Sequence, residues 1–152
     1  MSDTTTQFQR GSFLLPTFDH ATVADVMHPG ILCCDPDASL TKVARVMALD
    51  HVHCVAVMAL ARDGSGESLV WGMISDIDVL EAGLEDGAEP TARTLAKQPV
   101  ITVRPNTPLR EAGQAMVDNA VTHLVVVDHE TQRPIGIIST LDLAGVLAWG
   151  EA

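Results

Sequence analysis

Gly72-Met73-Ile74-Ser75-Asp76-Ile77-Asp78 is answered later in the chain by Gly136-Ile137-Ile138-Ser139-Thr140-Leu141-Asp142. Both copies run glycine, two apolar residues, serine, two further residues and aspartate. Each then opens an apolar helical pattern, so each reads as a strand passing directly into a helix. Taken singly, Ser-x-x-Asp is a capping box, with serine at the N-cap and the acid three residues on, satisfying backbone N–H groups that have no helical acceptor. Two copies at matching places ask for more than a cap. A helix start attracts phosphate, and a carboxylate beside it accepts both hydroxyls of a ribose.

Working outward, the chain repeats. Ala24–Met27 reads as a helical turn closed by Pro29-Gly30, and Ile31–Cys34 as a short strand. Leu40, Val43, Ala44 and Met47 mark one face of a helix over Leu40–Leu49. Val52–Met58 reads as a buried strand, Asp63-Gly64-Ser65-Gly66 as a turn, Leu69–Ile74 as the returning strand and Asp76–Leu84 as a closing helix. Pro36, Leu40, Met47, Val52 and Val57 recur 69 positions later as Pro105, Leu109, Met116, Val121 and Val126. A second helix is expected over Leu109–Val117, and a shorter turn lies around His129–Arg133. The pattern predicts an α/β (α+β) chain of two β-α-β-β-α repeats. They span residues 23–84 and 91–150, joined by an acidic linker over 85–90 and preceded by an arm over 1–22.

Composition narrows the function. The chain has 152 residues, a net charge of −11, three cysteines and no tyrosine. That charge disfavours nucleic acid and anionic membrane surfaces as partners. It is also uneven: Val23–Pro90 carries 12 acidic and 3 basic residues, against 6 and 5 from Thr91 onward. The longest apolar run, Cys54–Ala61, is too short to cross a bilayer. The first residues do not read as a secretory signal. With no disulfide framework either, a reduced, cytoplasmic protein is expected. All three phenylalanines, Phe8, Phe13 and Phe18, lie in the arm. It is expected to pack on the domain surface, with covering a cleft or a dimer partner as the alternative.

The element order, the repeat and the doubled Gly-x-x-Ser-x-x-Asp motif resemble a tandem pair of cystathionine-β-synthase-type (CBS) domains, a Bateman module, over nearly the whole chain from Val23 to Trp149. The resemblance implies two repeats packed as one pseudo-twofold module that regulates rather than catalyses. Such modules bind adenosine-containing ligands in clefts between the repeats and commonly dimerise. It implies that Asp78 with Ser75, and Asp142 with Ser139, face the ribose. The adenine wall of the Asp142 cleft would be Ile31, Leu32 and Val52, and that of the Asp78 cleft Val100, Ile101 and Val121. Members that bind charged nucleotides often open the second strand with His-Arg. Here those positions are His53-Cys54 and Thr122-His123, without arginine, which favours AMP, adenosine or S-adenosylmethionine over ATP.

The Asp142 cleft is expected to bind better, reached by His53, Thr122 and His123 and free of the acidic neighbours Asp76 and Glu81. Two other readings stand beside this one. A homodimer joined through the helices Leu40–Leu49 and Leu109–Val117 is expected, and in the first alternative a ligand-free CBS pair would only dimerise and dock a partner protein. His51, His53, Cys33, Cys34 and Cys54 raise a metal or redox sensor, but adjacent strand residues point to opposite faces, and the spacing matches no standard zinc pattern. No nucleophile elbow, His-Glu-x-x-His run or phosphate loop points to an enzyme, and no cofactor is required.

Overall fold

The structure, a computed structural model, describes residues 17–149. Phe8 and Phe13 lie outside that range. Phe18 lies within it, partly buried against the second half's core. In chain order the elements are α1 (Val23–Val26), β1 (His28–Pro29), β2 (Cys33–Cys34), α2 (Leu40–Asp50), β3 (Cys54–Leu60), β4 (Ser68–Ser75) and α3 (Asp76–Leu84). The second half continues with α4 (Ala92–Leu95), β5 (Thr102–Val103), α5 (Leu109–Asn119), β6 (His123–Val127), β7 (Pro134–Ser139) and α6 (Thr140–Trp149). The mixed α/β class and the doubled β-α-β-β-α order are as expected.

Several boundaries differ. The strand expected over Ile31–Cys34 is only Cys33–Cys34, and the one expected over Val52–Met58 starts at Cys54 and runs to Leu60. In both halves the central helix ends on a residue in the left-handed conformation, His51 or Ala120, each at φ 52°. The chain must then turn before a strand can begin, so Val52 and Val121 sit in the turn.

Each half builds a sheet in which the middle strand pairs in parallel with a two-residue strand and antiparallel with the motif strand: β2–β3–β4 and β5–β6–β7. Each sheet is completed by the other half. His28 pairs with Ile137 and Pro29 with Gly136, while Lys97 bridges Met73. The packing follows the same exchange. Val23 of α1 is fully buried in a cluster with Leu109, Leu124 and Ile138, whereas Ala92 and Leu95 of α4 are buried with Val43, Val55 and Ile74. Sequence periodicity shows neither exchange, because two to four residues carry no readable period.

The exchange explains the motif glycines. A Cβ on Gly136 would stand 2.5 Å from the His28 carbonyl oxygen, and one on Gly72 would stand 2.7 Å from Ala96 Cβ. The crossing segment lies directly on each glycine, where only hydrogen fits. The linker contributes as well. Glu89 Oε1 accepts from Thr41 N at 2.7 Å and from Thr41 Oγ1, satisfying a free donor in the first turn of α2.

Candidate functional site

Both capping boxes form. Ser75 N and Oγ each donate to Asp78 Oδ2 at 2.8 Å, and Ser139 N and Oγ donate to Asp142 Oδ2 at 2.7 and 3.0 Å. One oxygen of each carboxylate is therefore committed to the helix start. The second oxygen differs between the halves. Asp142 Oδ1 accepts from His28 Nε2 at 2.8 Å, whereas Asp78 Oδ1 has Lys97 Nζ only at 3.8 Å. His28 and Lys97 hold equivalent places in the two crossing segments, 69 positions apart.

Asp78 borders a cavity of about 440 Å³. Its floor is Ser75, Asp78 and Cys54 from the first half, and its walls are Val100, Ile101 and Val121 from the second. Lys97, Gln98, Pro99, Thr122 and His123 complete this part of the lining. The cavity has the volume and the mixed apolar and polar lining of a small-molecule site.

Its electrostatics are restrained. Burial holds the His123 imidazole below its ordinary value, against the opposing pull of Asp76. Burial, reinforced by Asp78 and Asp76, pushes the Cys54 thiol up to about 12. Burial thus weakens His123 as a source of positive charge in the lining.

A pH prediction follows. The folded state holds fewer protons on His123 than the unfolded chain. Its contribution is thus fully present above the unfolded value of 6.5 and is lost as pH falls toward the lowered folded value. Chemical denaturation is expected to show stability declining on acidification below about pH 6.5. His123→Gln should flatten that decline, and an unchanged slope would contradict the assignment.

Of the residues expected at the two clefts, the structure brings Ser75, Asp78, Val100, Ile101, Val121, Thr122 and His123 to one cavity. Thr122 and His123 thus line the Asp78 cavity, while His123 also pairs across the sheet with Ser139 and lies within electrostatic reach of Asp142. His53 is not in that lining. It is exposed, with Nδ1 2.8 Å from Asp76 Oδ2, and this contact lowers the Asp76 carboxyl. Asp76 is therefore paired rather than a bare charge beside Asp78. Ile31 is half-buried, Leu32 exposed, and Val52 packs on the first core. Ser139 and Asp142 stay in their cap with His28 on top. Sequence reasoning passed over Lys97 and His28, and the only signal for them was their equivalent offset.

Cys34 and Cys54 are buried and Cys33 is exposed. Among the described residues no three His, Cys, Asp or Glu side chains gather as a metal set. No described helix is long and apolar enough to cross a membrane.

The CBS domain family model matches residues 23–85 and again 92–148. The chain belongs to the CBS domain family. This CBS pair is 27% identical over 126 residues to Hypoxic response protein 1 of Mycobacterium tuberculosis, covering 81% of this chain and 82% of the relative. Among solved structures it resembles the CBS domain pair of protein MJ0100 in complex with 5′-methylthioadenosine and S-adenosyl-L-methionine. There the TM-score is 0.71 at 17% identity, covering 84% of this chain and 96% of that one. CBSX2 in complex with AMP gives 0.64 at 20% identity, covering 84% and 96%. Hypoxic Response Protein I with two coordinated zinc ions gives 0.60 at 26% identity, covering 82% and 98%. The tandem arrangement expected from the sequence is therefore shown.

Proposed function

We propose that this CBS pair is a cytoplasmic regulatory sensor. It binds the nucleoside part of an adenosine-containing ligand in the Asp78 cavity and catalyses no reaction. The observation carrying this reading is Asp78 itself. One carboxylate oxygen is held by Ser75, the other has Lys97 Nζ at 3.8 Å, and the residue borders a cavity whose lining includes apolar residues of the opposite half. Ribose hydroxyls would donate to that second oxygen, and adenine would lie against Val100, Ile101 and Val121. The preference for Asp142 is reversed here, because His28 already engages its second oxygen at 2.8 Å. Among the described residues Lys97 is the one permanent cation in the Asp78 lining, with its Nζ 3.8 Å from Asp78. The balance suits adenosine, AMP or S-adenosylmethionine better than a triphosphate. That the MJ0100 pair holds methylthioadenosine and S-adenosylmethionine, and CBSX2 holds AMP, supports the ligand class.

A thermal-shift panel of adenosine, AMP, ADP, ATP and S-adenosylmethionine tests the reading. A ligand present at 100 times its Kd stabilises the folded state by about 2.7 kcal/mol. At least one of the first two or S-adenosylmethionine should shift the midpoint more than ATP does. Five flat responses would leave the cavity without an adenosine function.

The second reading, a scaffold that dimerises and docks a partner protein, is supported by uncovered apolar helix faces. On α3, Ile77, Leu80 and Leu84 are 54%, 57% and 78% exposed, and on α6 Leu141 and Leu147 are 74% and 67% exposed. Faces of this kind mark interaction surfaces. We expect a homodimer through α3 and α6 by sedimentation at micromolar concentration, and Leu80→Glu should dissociate it. A wild-type monomer would remove the dimer from the account.

A further inference from the structure

A second cleft, of about 830 Å³, opens at the end of β4 remote from Asp78. Trp71 lies in its lining at an irregularity of the strand. Val57 pairs with Gly72 but Met58 with Val70, so Trp71 is the extra residue of a bulge. Bulges re-aim a side chain. Here the Arg93 guanidinium carbon lies 5.6 Å over the Trp71 ring centroid. The displaced Trp71 carbonyl accepts from Gln98 Nε2 at 2.7 Å, which fixes the bulge. Arg93 comes from α4, the segment crossing over from the second half, and its backbone N donates to the Pro36 oxygen at 2.9 Å. Arg62, just beyond β3, lines the same cleft.

Among the described residues neither Arg62 nor Arg93 has an acidic partner. Two unpaired guanidiniums in one cleft of a chain with net charge −11 need an explanation. The repeat supplies its own control. At the positions equivalent to Arg93 and Trp71 the other half carries Ala24 and Ile135, and it folds with the same strand order, including the same irregularity between Val126 and Val127. The stacked pair is therefore not a requirement of the fold.

Stacking on an indole holds a guanidinium in a fixed plane and leaves its in-plane N–H edge open, the arrangement that grips a carboxylate or phosphate with two parallel hydrogen bonds. Asp35 and Asp37 also line the cleft. Asp35 Oδ1 is engaged by the Asp37 backbone N at 2.9 Å, and the Asp37 carboxylate limits how much negative charge the cleft accepts. Met58, Leu60 and Leu69 provide an apolar wall.

We infer that this cleft is a second ligand site, independent of Asp78, for a small organic oxyanion. Arg93 and Arg62 hold the carboxylate or phosphate, and the apolar body of the ligand lies along Leu69 and Met58.

The test is a titration of the full chain with inorganic phosphate and, separately, with benzoate, at constant low chloride. It follows the indole N–H signal of Trp71 and the Nε–H signals of both arginines by NMR. Saturating shifts of these signals are expected with at least one probe, and the tighter probe identifies the headgroup as phosphate or carboxylate. Arg93→Gln and Arg62→Gln should each weaken binding roughly tenfold or more, since a charge-assisted contact is lost. Using both variants keeps the result readable if one fails to fold. Asp78→Ala should leave these shifts unchanged, which separates this site from the adenosine cavity. Shifts that stay linear with both probes, or that survive both arginine substitutions, would overturn the assignment.

Discussion

Asp78→Ala is expected to weaken adenosine binding roughly 10- to 150-fold, and Asp142→Ala to weaken it little. A hydrogen bond to a charged acceptor contributes about 1.5–3 kcal/mol, and 1.4 kcal/mol is a factor of ten. Losing a single ribose contact is enough for the lower figure. The asymmetry comes from geometry: the His28 ring already sits on the second oxygen of Asp142, whereas Lys97 stands 3.8 Å from that of Asp78. Each substitution also removes the acid of a capping box, which costs on the order of 1 kcal/mol of stability whatever the ligand does. Affinity is therefore to be measured by calorimetry well below the unfolding midpoint, where both variants remain folded. Equal losses in the two variants would return the clefts to equivalence. No loss in either would reduce both motifs to capping boxes.

Gly136→Ala is expected to destabilise the fold by about 1–3 kcal/mol, or roughly 2–12 °C in Tm, by forcing a methyl into a filled space. The new Cβ would meet the His28 carbonyl at 2.5 Å, and that backbone is paired to β7 through His28–Ile137 and Pro29–Gly136. Relief requires β1 to leave the sheet, which would also draw His28 off Asp142. The matching control is Gly145→Ala in α6, where a Cβ meets nothing within 4 Å. That change should stabilise by up to about 1 kcal/mol, the helix penalty of glycine relative to alanine. If both substitutions act alike in thermal unfolding, the crossing contact does not set the glycine requirement.

The doubled motif made much of this legible. Gly-x-x-Ser-x-x-Asp marks a strand–helix junction with a capping acid, and finding it twice at a fixed offset predicted the two halves and their order. The walls Val100, Ile101 and Val121 followed from the resemblance, and they line the cavity that Asp78 borders. What stayed hidden depends on contacts between segments far apart in the chain. His28 and Lys97 act on their aspartates across 114 and 19 positions of sequence respectively. They are placed there by pairings of one or two residues that leave no periodic trace. The halves exchange α1 and α4 for the same reason. The downward shift of His123 was equally out of reach, because it comes from burial and not from residue type. Trp71 reads as one more apolar strand residue until the bulge turns it toward Arg93.

A crystal structure of the complex with adenosine tests the central claim most directly. The account predicts the ribose hydroxyls on the second oxygen of Asp78, with adenine against Val100, Ile101 and Val121 and His28 still seated on Asp142. Density for the nucleoside at Asp142 with the Asp78 cavity empty would contradict it.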